Sequence, residues 1–346
     1  MTAVLSLCVF SSQGWSANFD TAMGIAEANV PPGADVACMG NAWTATPDFS
    51  TNNPAVIAIM EDLRAGGSFT YGLMNFEDGP DISIYSTTVQ GKLPVGFMEI
   101  TYSQGTSGTG ATDMDTYLAR DLIYVKTDIE FDSIRSIDMQ YGLKVKDNFL
   151  KEGDRLFLGL SVSPYAKSKL LFKERLLIKS KSRLLFKSSS IDFMQAKSKG
   201  YAVGFGFCYM LPNRIGIGSY YQYSHDKSEE TNLWNNMTVK SAGHTDLFRF
   251  GASWQMFPLT FIAADYQHIA MEGAHKNQAF VGIEQGIIKD SVYLYGGWAG
   301  DGPTTGIGIY LKYGGINVAY MHHAFNDLEP FLGKTQIGMV TIYFYL

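Results

Sequence analysis

No stretch of this 346-residue chain approaches the roughly 20 consecutive apolar residues that a membrane-spanning helix needs. Charge is scarce: Asp, Glu, Lys and Arg make up 17% of the residues, against about 25% in ordinary soluble domains. Cysteine is nearly absent. Cys8, Cys38 and Cys208 lie too far apart for a disulfide framework or a zinc site, and read as small buried thiols. A basic excess is also missing. The net charge of −6 argues against nucleic acid as a partner. There is no nucleophile motif of the form G-x-S-x-G. Glycine pairs such as Gly204/Gly206, Gly216/Gly218 and Gly306/Gly308 sit inside strand-like segments without a following helix, so they are not nucleotide loops. The expectation is a protein that is not an enzyme and holds no cofactor and no metal.

Glycine and aromatic residues are plentiful: 36 Gly, 22 Phe, 20 Tyr and 5 Trp. From about residue 64 the chain becomes a series of alternating segments. In residues 247–257, Phe248, Phe250, Ala252, Trp254 and Met256 share one parity, and Leu247, Arg249, Gly251, Ser253 and Gln255 the other. Tyr201, Val203, Phe205, Phe207 and Tyr209 alternate in the same way with Ala202, Gly204, Gly206 and Cys208. Successive strand residues face opposite sides, so each segment has one greasy face and one small or polar face. A soluble sandwich would put its large residues into a shared core and charges outside. Here lysine-rich faces are missing, which fits strands with lipid on the apolar side and a lumen on the other. Only a closed barrel leaves no unpaired strand edge in lipid.

Fourteen such segments are expected, near residues 64–76, 82–92, 95–104, 134–146, 155–167, 198–211, 214–225, 245–257, 259–270, 277–288, 291–299, 305–313, 315–324 and 333–345. The fold class is therefore all-β: a 14-stranded antiparallel transmembrane barrel, in the even number such barrels prefer. Short connections alternate with longer ones at 105–133, 168–197, 226–244 and 271–276. Both termini fall on the short-turn side. The expected location is the outer membrane of a Gram-negative cell with both termini periplasmic.

Residues 1–17 read as a probable signal peptide, an apolar run from Val4 to Phe10 followed by small and polar residues. Cys8 is no lipoprotein site, because Leu7 stands where a small residue is required. Residues 18–62 carry turns and short Ala-rich helical pieces, with Pro31-Pro32-Gly33, Gly40-Asn41-Ala42-Trp43 and Asn53-Pro54-Ala55, but no alternation. They read as a plug, and residues 63–346 as the barrel.

A short plug carrying Gly-Asn-Ala near residue 40 and Asn-Pro-Ala at 53–55, followed by fourteen strands, resembles the FadL superfamily of outer-membrane transport proteins. The second half is similar to its PorV-like branch, through the run from Gln278 to Glu284, Leu294-Tyr295-Gly296-Gly297-Trp298, Gly306-Ile307-Gly308, Val318-Ala319-Tyr320 and the run from Leu332 to Ile337. The resemblance implies a passive carrier for long-chain fatty acids or other hydrophobic molecules. It also implies a hatch to which Asn53, Pro54 and Ala55 belong. The family's usual glycine after the alanine is here Val56. The PorV-like pattern implies an alternative, a barrel that docks secreted proteins or a secretion complex. The capping of a short helix in a rigid plug is a further reading of Asn53-Pro54, compatible with a hatch.

His225, His244, His268, His275, His322 and His323 fall at the long-connection ends of strands. They read as polar rim residues rather than catalytic ones, although Asp226 and Asp246 are near. Residues 167–187 form a basic run in an acidic protein. Lys173, Arg175, Lys179, Lys181 and Arg183 interleave there with leucines and phenylalanines. One reading is a basic loop for lipopolysaccharide phosphates, an anionic headgroup or an acidic partner. The favoured one is an extension of the fifth and sixth strands with solvated lysines. The expected partners are thus outer-membrane lipid, a hydrophobic small molecule such as a fatty acid, and a secreted or surface protein.

Overall fold

The structure is a computed structural model. It describes residues 30–46, 52–59, 65–77, 81–107, 109–118, 121–130, 133–169, 171–180, 183–188, 194–232, 237–271, 274–289, 291–326, 329 and 333–346. Within 107–133, 169–196 and 232–237, and at 230, it covers the backbone only. Residues 1–17 and Lys181 lie outside the described residues.

Fourteen strands close on themselves. They are β1 (Ala65–Phe76), β2 (Ile82–Lys92), β3 (Phe97–Ser107), β6 (Ser133–Asp147), β7 (Arg155–Lys169), β10 (Met194–Met210), β11 (Ile215–Asn232), β12 (Met237–Phe257), β13 (Thr260–Met271), β14 (Ala274–Ile288), β15 (Val292–Ala299), β16 (Gly302–Leu311), β17 (Gly314–His322) and β18 (Thr335–Tyr345). Every neighbour is antiparallel, and β1 seals the wall by pairing with β18, from Gly66 opposite Tyr345 to Phe76 opposite Thr335.

The alternation places the two faces as expected. Phe250 is 49% exposed on the outside while Arg249 beside it is fully buried inside. Val89 and Gln90 repeat the contrast, as do Val203 and Ala202. The outside carries Phe69, Ile100, Ile137, Leu160, Phe205, Phe250, Trp254, Val281, Leu294, Ile309, Val318 and Ile342 all exposed. A greasy belt of this extent around a wall with no free edge is stable only against lipid, so the barrel spans a membrane. Outward Tyr201, Tyr221, Trp298 and Tyr320 stand toward one end, and Trp254, Tyr313 and Phe344 toward the other. Amphipathic rings favour the two membrane–water boundaries.

Four connections differ from the expectation. Inside the connections expected at 105–133 and 168–197 lie β4 (Thr109–Leu118), β5 (Asp121–Glu130), β8 (Leu171–Ser180) and β9 (Arg183–Ser188), which form a separate four-stranded sheet in the order β4-β5-β8-β9. Lys173, Arg175 and Lys179 thus belong to β8 and Arg183 to β9. The run does not extend the fifth and sixth wall strands: β5 and β8 pair instead, with Val125 opposite Leu176. Two connections distant in sequence satisfy each other's backbone groups, a pairing that residue periodicity cannot reveal. The connection expected at 226–244 is mostly hairpin, because β11 and β12 stay paired out to Asn232 and Met237. At 271–276, β13 and β14 remain paired to Met271 and Ala274.

Candidate functional site

The lumen holds the plug. Gly33 precedes a short helix α1 (Ala34–Cys38), and the Ala34 amide donates to Thr341 Oγ1 on β18 at 2.8 Å. That hydroxyl also meets Thr70 Oγ1 at 2.9 Å. The helix ends in two left-handed residues, Gly40 (φ 64°) and Asn41 (φ 60°). Gly40 is required twice over: its φ is positive, and an added Cβ would come within 3.0 Å of Trp298 and Val281 backbone atoms. The Gly40 amide donates to Thr304 Oγ1 at 3.1 Å, and the same hydroxyl donates to Cys38 O at 2.9 Å.

The plug next meets an ion pair. Arg249 on β12 and Asp265 on β13 are each 1% exposed at the side chain, with Nε 3.3 Å from Oδ2. Asp265 Oδ2 accepts the Trp43 amide at 2.8 Å, the Thr44 amide at 2.9 Å and the Thr44 hydroxyl at 2.7 Å. Arg249 Nη2 donates to Asn41 O at 2.7 Å. Its guanidinium lies 4.4 Å from the Trp43 ring centroid and 4.1 Å from that of Phe280. A planar cation between two rings keeps its charge without water, and its carboxylate partner holds three plug donors. The pair fastens residues 41–44 to the wall.

The chain then reaches Asn53, Pro54 and Ala55. Asn53 is fully buried. Its Nδ2 donates to Thr44 O at 2.6 Å and Phe207 O at 3.3 Å, and its Oδ1 accepts the Ala55 amide at 3.1 Å. Asn53 O accepts the Val56 amide at 3.0 Å, opening a short 3-10 helix, Val56–Ile59. Asn53 thus makes a capping turn, and Val56 begins the helix. The segment seats against a row of glycines. Gly142 on β6 faces Gly159 on β7, which faces Gly206 on β10. A Cβ at any of the three would come within 3.0 Å of Asn53 or Pro54 atoms. Backbone approaches backbone here, which only glycine allows. Gly218, Gly282 and Gly297 receive the backbone of Thr44, Met39 and Gly40 in the same way, and Gly306 makes room for the Cys38 side chain.

The expected residues Asn53, Pro54 and Ala55 lie buried against β6, β7 and β10, and the sequence analysis did not single out Arg249 and Asp265. Their signal is visible afterwards: each is a charge on the inward parity among small residues. The histidines stand at the long-connection end. His225 is opposite His244, and His268 stacks on His275 with centroids 5.8 Å apart. His268 Nδ1 meets Asn277 Oδ1 at 2.7 Å, and His323 Nδ1 meets Glu329 Oε1 at 2.6 Å. Among the described residues no three such side chains gather as metal ligands. Cys38 and Cys208 are buried free thiols.

A closed fourteen-stranded wall with a plug threaded along its inner face can be compared with solved structures. The toluene transporter TbuX of Ralstonia pickettii superposes with a TM-score of 0.59 at 12% identity, covering 91% of this chain and 98% of TbuX. A Pseudomonas aeruginosa FadL homologue gives 0.54 at 12% identity, covering 91% and 98%. The fold is that of the FadL-like transporters. The toluene transporter TodX of Pseudomonas putida agrees, at 0.52 and 11% identity, covering 90% and 96%. No family model and no curated protein sequence matches the chain. None of these likenesses supports the PorV-like docking alternative.

Proposed function

We propose that this protein is an outer-membrane channel through which hydrophobic small molecules, toluene-like hydrocarbons or fatty acids among them, pass by diffusion without chemical change. The observation that carries the reading is the plug seated inside a closed, lipid-facing FadL-like barrel. Such a barrel needs a barrier to water and a route for apolar cargo. Both termini face the periplasm in this reading, since the chain leaves the wall where the Leu346 amide donates to Ala65 O, at the short-turn end.

Residues 18–62 act as the hatch. Asn53, Pro54 and Ala55 are its hinge: one asparagine caps the 3-10 helix, ties residue 44 and holds the wall, so its loss releases three contacts together. The basic run, including Lys173, Arg175, Lys179 and Arg183, lies in the connections of the opposite end. There it serves as a contact for lipopolysaccharide phosphates.

The test is purification from outer membranes in mild detergent with mass spectrometry of co-purified small molecules, beside toluene uptake into vesicles containing the protein. A stoichiometric apolar ligand whose occupancy changes in Asn53→Ala is the expected result. A barrel that carries no apolar molecule, and vesicles no more permeable to toluene than empty ones, would overturn the reading.

A further inference from the structure

The lumen wall is not uniformly apolar. On β2, β3 and β6, Gln90 stands opposite Glu99, and Glu99 opposite Gln140. All three point inward and are buried. One turn of the ladder further on, Thr88 stands opposite Thr101 and Thr101 opposite Asp138. Beyond that, Ser86 stands opposite Ser103, and Ser103 opposite Ser136. The wall here is a ladder of hydroxyls, amides and carboxylates, whereas Phe280, Met321, Ile337 and Met339 elsewhere on the wall pack in an apolar cluster with Ala34, Ala37, Cys38 and Met39 of the plug.

Two groups in this ladder are fixed but incomplete. Thr88 Oγ1 meets Thr101 Oγ1 at 2.8 Å, and the Thr101 hydroxyl bonds the Glu99 carboxylate. Glu99 is 3% exposed, yet its Oε2 has no hydrogen-bond partner. Gln90, 5% exposed, has an Nε2 without an acceptor. One is an acceptor in need of a donor, the other a donor in need of an acceptor, and they sit at facing register positions. A buried polar atom left in this condition costs free energy, so a guest that completes both is favoured.

The surrounding charges limit what that guest is. Asp138 and the plug residue Asp35 lie within electrostatic reach of Glu99, and Asp35 is also within reach of Glu284 on β14. Asp35 is fully buried, with neither carboxylate oxygen hydrogen-bonded. Arg249, the cation buried inside the wall beside the plug, is spent on Asp265, Asn41 and two aromatic rings. A carboxylate end could accept from Gln90 Nε2, but it would stand beside the Glu99 oxygens with Asp138 and Asp35 in reach. A bare hydrocarbon would leave both orphans as they are. An ammonium could donate to Glu99 but offers Gln90 no lone pair. A hydroxyl donates once and accepts twice, and serves both.

We propose that Gln90 and Glu99 form a polar subsite for the hydroxyl group of a hydrophobic guest, an aliphatic alcohol or a phenol, and that this side of the lumen selects against carboxylate ends. The proposal rests on the channel reading above and narrows its cargo.

The test is competitive entry into vesicles containing the full-length protein. Its probes share a ten-carbon chain: decane, decanol, decylamine and decanoate. Decanol should enter ahead of decane by roughly tenfold, the worth of two modest hydrogen bonds, with decanoate last. Gln90→Leu should shrink the decanol-to-decane ratio several-fold. Glu99→Gln keeps shape and hydrogen-bonding capacity, so it should retain the decanol preference and narrow the handicap of decanoate. Decanol no better than decane, decanoate or decylamine in first place, or a Gln90→Leu ratio equal to that of the wild type would overturn the subsite. If decane and decanol both fail to enter faster than in empty vesicles, the channel reading itself fails. That outcome differs from each of the others.

Discussion

Arg249 and Asp265 show how much one buried pair controls. Each charge has left water, and the desolvation is offset only because the partner, the two rings and the plug's own donors are all in place. Asp265→Asn keeps the shape but leaves Arg249 as an uncompensated buried cation. It should cost roughly 3–5 kcal/mol in urea unfolding of the bilayer-embedded protein, and planar-bilayer recordings should show open events that the wild type lacks. Arg249→Met with Asp265→Leu separates the two effects. Stability should largely return, because apolar residues of similar size replace a buried pair well, while the open events persist because residues 43 and 44 have lost their acceptor. A quiet double variant would mean that the plug is held closed elsewhere.

A second carboxylate works at the short-turn end, outside the membrane. Asp154 accepts the amides of Phe149, Leu150 (2.9 Å) and Lys151 (2.7 Å) and the Tyr209 hydroxyl. Partial removal from water pushes its pKa up, but these hydrogen bonds push harder the other way, and the carboxyl sits below its ordinary value. A carboxylate with a depressed folded pKa stabilises above its unfolded pKa and loses that contribution as pH falls through the folded one. The β6–β7 turn should therefore loosen in acid below about pH 4, the ordinary Asp value. Amide exchange at residues 149–151 compared between wild type and Asp154→Asn would show it, with the variant loose at every pH.

At the scale of elements, the plug is positioned by what the wall omits. Gly142, Gly159 and Gly206 make a shallow track across three strands, and Asn53-Pro54 lies in it. Gly159→Ala adds one methyl where backbone already sits. The barrel should still form, since a strand accepts alanine readily, but the Asn53-Pro54 segment should stand off the wall and become cleavable by protease near residue 54. Protection equal to wild type would show that the track is not what seats the plug.

The wall strands were legible because lipid on one side and the plug on the other impose a period of two, and all fourteen follow it. Their outer ends ran longer than expected at β11, β12 and β14, where both faces leave the bilayer and the greasy parity fades although pairing continues. The sheet of β4, β5, β8 and β9 was illegible for the same reason. Leu176-Leu177-Ile178 and Leu184-Leu185-Phe186 are unbroken apolar runs with no lumen parity to read. Asn53-Pro54-Ala55 could be singled out because its residues are adjacent. The Arg249–Asn41 contact spans 208 residues, and no local pattern announces it.

At the scale of the molecule, inside and outside are exchanged relative to a soluble protein, and this can be tested by depth. Phe250 lies at the middle of the outward face of the lipid-crossing part of β12, with Phe248 and Trp254 on either side. Leu311 is more exposed than any of them, but it ends β16 at the short-turn boundary. In water, exposure alone would decide, and an arginine at either place would be harmless. In lipid, depth decides: a midplane arginine costs about 2–4 kcal/mol and one near the interface about 0–1. Phe250→Arg should therefore lower the unfolding free energy in phospholipid bilayers by that larger amount, while Leu311→Arg leaves it nearly unchanged. The ranking is opposite to the ranking by exposure. Equal costs at the two sites would mean that the greasy belt does not face lipid, and the channel reading would fall with it.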